Sequence, residues 1–281
     1  MAFPERVVIA GLGLIGGSVA LAVRRAMPAV VLVAWDDERV IKEGLRRAVI
    51  DGVYRPEDLQ AGDLLVLAAP PLSSLYVLDS LQATGDAVIT DVVSTKRVIM
   101  EAAIAKRLRF VGGHPMAGSQ HSGLEHASAN LFDGKPWFLT DAGAGNDVND
   151  TVEAFVRSLG ALPEWIDPLE HDRLMAAISH LPQVVSTALM TVAAKVAGRS
   201  NLDLAGPGLR DMTRLAASDP ELWSQIAASN AVELSHAIRL LRQQLERVEN
   251  SLEAAEPLND FFAGGQRARS ALEPGDITRG S

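Results

Sequence analysis

Val7-Val8-Ile9-Ala10-Gly11-Leu12-Gly13-Leu14-Ile15-Gly16-Gly17-Ser18 decides how the N-terminal half folds. Four apolar, mostly β-branched residues read as a buried strand, and the glycines after them permit a tight turn into the helical pattern from Ser18 to Ala26. Strand, glycine turn and helix in that order bring backbone N–H groups and the positive end of a helix dipole to one point, where a pyrophosphate would be held. Glycine turns of this kind also arise for packing alone, so the residues that follow carry weight. The second strand, Val30–Ala34, ends at Trp35-Asp36-Asp37. At that distance from the turn, Asp36 accepts hydrogen bonds from the ribose hydroxyls of an adenosine, and its charge repels a 2′-phosphate, which favours NAD over NADP. Asp37 is either a solvated turn residue or exchanges roles with Asp36. The expected cofactor contacts are Gly11, Leu12, Gly13, Leu14, Ile15, Gly16 and Asp36, joined by Ala69, Pro70 and Ser94 beyond later strands.

Leu64–Ala68, Ala87–Thr90, Phe110–Val111 and Trp137–Thr140 continue the strand series, with helices near Arg39–Arg47, Ser73–Leu81 and Lys96–Lys106. Near-continuous apolar strands between helices predict a parallel sheet buried on both faces. Asp141–Asp150 is the most linker-like stretch, followed by a helix at Thr151–Leu159 and a short strand at Glu164–Ile166. Beyond about Pro168 the strand signal vanishes. The expected architecture is an α/β Rossmann-type dinucleotide-binding domain over residues 1–167 and an all-α domain over 168–263, with a mobile tail at 264–281. A last long helix, from about Pro220 to Ala255, carries Ala227, Ala231, Leu234, Ile238, Leu241, Leu245, Val248 and Leu252 at alternating spacings of 4 and 3. Such a seam packs against a near-parallel or antiparallel helix, from a second subunit or from the same chain.

Composition narrows the classes. The 281 residues include no cysteine, which excludes a disulfide scaffold, a zinc-thiolate site, an iron–sulfur cluster and a thiol nucleophile. The net charge of −9 is spread over both halves without a basic run, so nucleic acid is a poor partner. The N-terminus lacks a signal-peptide core, and apolar stretches read as interrupted short of the roughly 18 residues a membrane helix needs. A cytoplasmic location is expected. No His/Asp/Glu spacing suggests a metal site.

Asp91-Val92-Val93-Ser94-Thr95-Lys96 closes the fourth strand at the sheet edge where ligands sit, with Ser94 or Thr95 also suited to cap the next helix. Gly112-Gly113-His114-Pro115-Met116-Ala117-Gly118-Ser119 follows the fifth strand. An imidazole there, in a glycine-rich turn, suits a general base near neutral pH, whereas His121, His126, His171 and His236 have no companion signal and read as structural or solvated. In the helical half, Pro182 in Ser179-His180-Leu181-Pro182-Gln183 predicts a kink, with His180 either a ligand or a satisfied core residue. In Gly206-Pro207-Gly208-Leu209-Arg210-Asp211-Met212-Thr213-Arg214, the two arginines share a helix face, with Asp211 placed to orient Arg214; this suits a carboxylate, or is simply a solvated charged face.

In this order and over nearly the whole chain, from Val7 to about Phe262, these segments resemble the prephenate/arogenate dehydrogenases of tyrosine biosynthesis. The resemblance rests on the glycine turn, DVVSTK at Asp91–Lys96, HPMAGS at His114–Ser119, SHLP at Ser179–Pro182, GPGLRDMTRLAASDPELW at Gly206–Trp223, and Asn230. It implies NAD-dependent oxidative decarboxylation of a cyclohexadienyl acid. His114 would accept the ring 4-hydroxyl proton, Ser94 would orient it, and Arg214 would bind a substrate carboxylate within a network including Arg210 and Asp211. It further implies substrate contacts from Ser119, Gln120, His180, Gln183 and Trp223, the last reaching a neighbouring subunit's site in a homodimer of helical domains. Two positions depart from the family pattern: Gln183 stands where a second histidine is frequent, and Gln120 where glutamate is common. Losing a cation at 183 weakens the case for prephenate, and losing an anion at 120 weakens that for arogenate. Prephenate dehydrogenase is the leading expectation, with arogenate or dual specificity as the alternative. A two-domain dehydrogenase of the β-hydroxyacid or pyrroline-carboxylate-reductase kind, or a non-catalytic nucleotide sensor, is a more distant one. The expectation for 281 residues is one dinucleotide domain and one helical domain, without a fused mutase or amino-acid-sensing domain.

Overall fold

The computed structural model describes residues 4–55, 58–81, 85–117, 122–270 and 272. The chain divides into two units, Met1–Leu234 and Ser235–Ser281. The first is built on an eight-stranded sheet of order β3-β2-β1-β4-β5-β6-β7-β8, with β1 at Arg6–Ala10, β2 at Val31–Trp35, β3 at Gly52–Val53 and β4 at Leu64–Leu67. The others are β5 at Val88–Asp91, β6 at Phe110–Pro115, β7 at Pro136–Asp141 and β8 at Leu162–Trp165. Side chains alternate between faces, so Val7 and Ile9 enter one buried layer with Val19, Val23 and Phe155, while Val8 and Ala10 enter the other with Val77, Leu78 and Ile99. These layers are filled by α1 (Leu14–Ala26) and α5 (Asn146–Ser158) on one side, and by α3 (Pro71–Ser80) and α4 (Arg97–Ala105) on the other; α2 spans Glu38–Arg46.

The strand order reverses between β1 and β4, which opens a crevice at their carboxyl ends. Three features differ from the sequence expectation. The sheet is mixed, because β7 runs antiparallel to β6 (His114 opposite Phe138); apolar patterning carries burial but no pairing direction. β6 continues through Pro115, so Gly112 and Gly113 are strand residues rather than a turn. They are glycine for space: a Cβ at 112 would lie 2.2 Å from Thr140 Oγ1, and one at 113 would lie 2.3 Å from the Asp91 carbonyl oxygen. The stretch read as a linker, 141–150, already contains the first turns of α5.

A 30-residue helical run from Pro168 to Ala197 follows the sheet. It joins α6 (Pro168–Met175), a π-helical turn at Ala176–His180 and α7 (Leu181–Ala197). Between Arg173 and Lys195 it holds no Asp, Glu, Lys or Arg, so an apolar segment of membrane-spanning length does exist, contrary to the expectation. The Pro182 kink takes the form of the π turn: Leu181 N–H reaches back five residues to the Ala176 carbonyl. α8 (Pro207–Met212) and α9 (Pro220–Ser229) complete this unit's helices. The expected single helix from Pro220 breaks at Asn230, whose backbone (φ −119°, ψ 32°) leaves the helical range before α10 (Ala231–Glu253).

In the second unit, seam residues Ile238, Leu245 and Leu252 of α10 are exposed. Residues 264–270, the first part of the expected mobile tail, lie in α11 (Asn259–Ser270).

Candidate active site

The crevice is set by the glycine turn. Gly11 adopts φ +102°, and a Cβ there would lie 2.6 Å from the backbone of Ala68, so β1 and the end of β4 touch through it. A Cβ on Gly16 would lie 1.9 Å from the Gly11 carbonyl oxygen, while one on Gly13 would meet open space. The turn is therefore closed behind and open in front. α1 has no capping side chain, so its first N–H groups face that opening without an intrahelical acceptor. This cradle fits a pyrophosphate.

Asp36 stands at the end of β2. Its Oδ2 accepts from Leu12 N–H at 2.5 Å, and its Oδ1 accepts from Asp37 N–H at 2.6 Å. The carboxylate is thus pinned to the rim of the turn. Leu12 is fully buried in the core with its N–H engaged by Asp36, while Leu14 and Ile15 open α1 and are half-buried. Ala69 and Pro70 follow β4, where their carbonyls accept from the hydroxyl and N–H of Ser74.

Farther along the same edge, Asp91 ends β5 fully buried. Its carboxylate accepts from Gly113 N–H and Val93 N–H, both at 2.9 Å, and pairs with the buried ammonium of Lys96. Burial pushes Asp91 up and Lys96 down, each opposed by the charge of the other. This pair ties β5 to β6 directly behind His114. Ser94 lies in the bend between β5 and α4, half-buried. Neither Ser94 nor Thr95 caps α4. Asp172, from α6, takes that role by accepting from Lys96 N–H at 2.7 Å and Arg97 N–H at 3.0 Å, which joins the helical run to the sheet.

His114 is half-buried, next to last in β6, with its Nδ1 2.9 Å from Nε2 of His171. His171 Nδ1 in turn lies 2.9 Å from Asp172 Oδ1, and both residues are fully buried. Burial opposes the charge of Asp172, yet hydrogen bonds from His171 and the two backbone N–H groups hold it below the ordinary carboxylate range. Burial lowers His171, against the pull of Asp172. His114 is held well below the ordinary histidine range by burial, then by neighbouring His171, Lys96 and His180. It is therefore neutral at pH 7 and can accept a proton. Reading His171 as a residue without companions missed this contact: its partner is 57 positions away. The adjacent Asp172 was the one local sign.

His180 is buried, with Asn230 Nδ2 3.1 Å from its Nδ1 and the Trp223 ring 6.0 Å away, edge-on. The tryptophan that the resemblance sends toward a neighbouring subunit thus lies against a histidine of its own chain. Among the described residues His180 Nε2 has no hydrogen-bond partner. Gln183 is also buried, its Nε2 donating to the Leu215 carbonyl at 2.7 Å, so it anchors the 3₁₀ turn Arg214–Ala217. Because α8 ends at Met212, Arg210 and Arg214 do not share one continuous helix face. Both arginines and Asp211 are exposed, and Arg210 Nε donates to the Ala205 carbonyl at 3.2 Å. Ser119 and Gln120 lie outside the described residues. Among the described residues no group of three or more His, Asp or Glu is placed to hold a metal ion. A separate concavity of about 620 Å³ lies at the amino ends of β1 and β4, where Arg6 and Asp63 already satisfy each other.

Residues 19–162 match the family model described as prephenate dehydrogenase, nucleotide-binding domain, and residues 167–263 match prephenate dehydrogenase, dimerization domain. The chain belongs to the prephenate dehydrogenase family. A prephenate dehydrogenase of Lactococcus lactis is 31% identical over 96% of this chain and 78% of that protein. The solved prephenate dehydrogenase of A. aeolicus, in complex with hydroxyphenyl propionate and NAD+, superposes with a TM-score of 0.87 at 26% identity, covering 97% of this chain and 99% of that one. The Synechocystis arogenate dehydrogenase follows with a TM-score of 0.77 at 28% identity, covering 95% and 99%. The α/β part is accordingly the family's nucleotide-binding domain, and the helical part its dimerization domain.

Proposed function

We propose that this chain oxidises and decarboxylates prephenate to 4-hydroxyphenylpyruvate with NAD, within a homodimer in the cytoplasm. The observation that carries the proposal is the placement of His114, neutral and backed by His171, on the same carboxyl edge of the sheet as the glycine cradle and Asp36. Gly13 and the α1 N-terminus would hold the pyrophosphate, and Asp36 the adenosine ribose. The nicotinamide, when bound, supplies the hydride acceptor.

His114 takes the proton of the ring 4-hydroxyl as hydride leaves C4, so that oxygen becomes a carbonyl. The ring carboxylate departs as carbon dioxide, its electrons pass to the ring oxygen, and His114 returns the proton to that oxygen. The histidine therefore ends each turnover as it began, and the product is aromatic. Ser94 orients the reacting hydroxyl, while Arg214 anchors a substrate carboxylate with Arg210 and Asp211 nearby. The domain division we adopt is 1–167 and 168–263. The homodimer reading is supported by exposed apolar residues on both units: Ile178, Val192 and Val196 on the first, Ile238, Leu245 and Leu252 on the second. The absence of cysteine fits the cytoplasm.

Incubating the protein with prephenate and NAD+ tests the proposal: NADH and 4-hydroxyphenylpyruvate should appear in equal amounts. Binding of NADH without turnover of prephenate or arogenate would leave a nucleotide sensor instead.

A further inference from the structure

Buried Asp172, buried His171 and half-buried His114 contact one another in series, and these contacts determine which nitrogen of each ring carries hydrogen. A carboxylate only accepts, so the 2.9 Å contact to Asp172 Oδ1 requires a proton on His171 Nδ1. A neutral His171 then has a bare Nε2, which accepts from His114 Nδ1 at 2.9 Å. His114 must carry its proton on Nδ1 and keep Nε2 as the lone-pair nitrogen. Asp172 is itself fixed by the N–H groups of Lys96 and Arg97 at the start of α4, so the chain of contacts is anchored in backbone. Phe138, opposite His114 across β6 and β7, packs edge-on against His171 with ring centroids 5.7 Å apart, and the His114 and His171 rings are inclined by 69°.

We propose that His171, oriented by Asp172, is a positioning residue that locks His114 in the tautomer able to accept a proton at Nε2. When His114 takes the substrate proton, its Nδ1–H keeps its own hydrogen and donates a stronger, charge-assisted bond to His171. The Asp172 carboxylate behind stabilises that charge at one remove. No proton moves from His114 to His171, and none reaches Asp172. The lock rests on the reading of His114 as the base, but the tautomer itself is observable without turnover.

The test uses ¹⁵N imidazole NMR of the full-length protein at pH 7, with His114 assigned by comparison with His114→Asn. His114 should show a protonated Nδ1 and a bare Nε2. His171→Leu should mix the two tautomers and lower kcat about 100-fold with KM for both substrates within about threefold, as expected for loss of an oriented base. His171→Gln, whose amide oxygen can accept from His114 Nδ1, should restore the tautomer and at least about tenfold of the lost kcat. A proton found on His114 Nε2 in the unsubstituted protein overturns the proposal. So does unchanged kcat in a folded His171→Leu, or equal loss in the Leu and Gln variants. If no acid is turned over, the functional reading fails while the NMR result still decides the lock.

Discussion

Asn230 uses one side-chain amide to fix His180: its Nδ2 donates to the Asp172 carbonyl at 2.7 Å and to His180 Nδ1 at 3.1 Å. The histidine is thereby held as a neutral ring with its proton on Nε2. Burial lowers its pKa to about 4, partly opposed by Asp172. The unfolded chain therefore binds more protons than the folded one between about pH 4 and 6.5, and stability falls as pH drops through that window. At pH 5 the loss from His180 alone comes to about 2 kcal/mol. His114 and His171 act in the same direction. Denaturant unfolding at pH 7 and pH 5 should show a smaller difference for His180→Gln than for the unsubstituted protein. An equal difference would show that His180 is not buried neutral.

His114→Asn removes the proton acceptor while keeping the side chain close in size. Turnover should fall by about 10² to 10⁴, with KM for prephenate changed only a few-fold. Steady-state kinetics with prephenate decide this. Unchanged turnover removes His114 from the chemistry.

Arg214→Ala should raise KM for prephenate by about 10- to 100-fold, the cost of a charged hydrogen bond, with little change in kcat. Gln183→Leu should raise KM in the same direction by a smaller factor, because it frees the Leu215 carbonyl and loosens the turn that carries Arg214. If Gln183→Leu alters kcat and leaves KM alone, the tether account is wrong.

Asp36→Ser removes the negative charge at the cradle. The ratio of kcat/KM for NAD+ to that for NADP+ should drop at least about tenfold, the equivalent of roughly 1.4 kcal/mol. The same change strips an acceptor from Leu12 N–H and should cost about 1 to 3 kcal/mol of stability by denaturant titration. An unaltered cofactor ratio argues that another group reads the ribose.

The parts legible in the sequence were those whose signal is local. A strand, three glycines and an acid after the next strand are contiguous patterns, so the sheet edge and the cradle could be read directly. His114 was legible through its neighbours in HPMAGS, although the glycines before it proved to be strand residues chosen for lack of space. His171 was not legible, since its contacts come from β6 and depend on how α6 docks against the start of α4. The paired arginines were misread because helical spacing was carried across Thr213, where the backbone leaves the helix (φ −106°, ψ 7°). The antiparallel β7 escaped notice because a buried strand reads alike in either direction. Asn230 counted toward the resemblance yet was read inside one long amphipathic helix, and its buried partners, Asp172 and His180, are distant in sequence.

Measuring kcat/KM for prephenate and for arogenate, each with NAD+ and with NADP+, on the same preparation decides substrate and cofactor together. The highest value should be that for prephenate with NAD+, and a higher value for arogenate, or for either acid with NADP+, would contradict the proposed function.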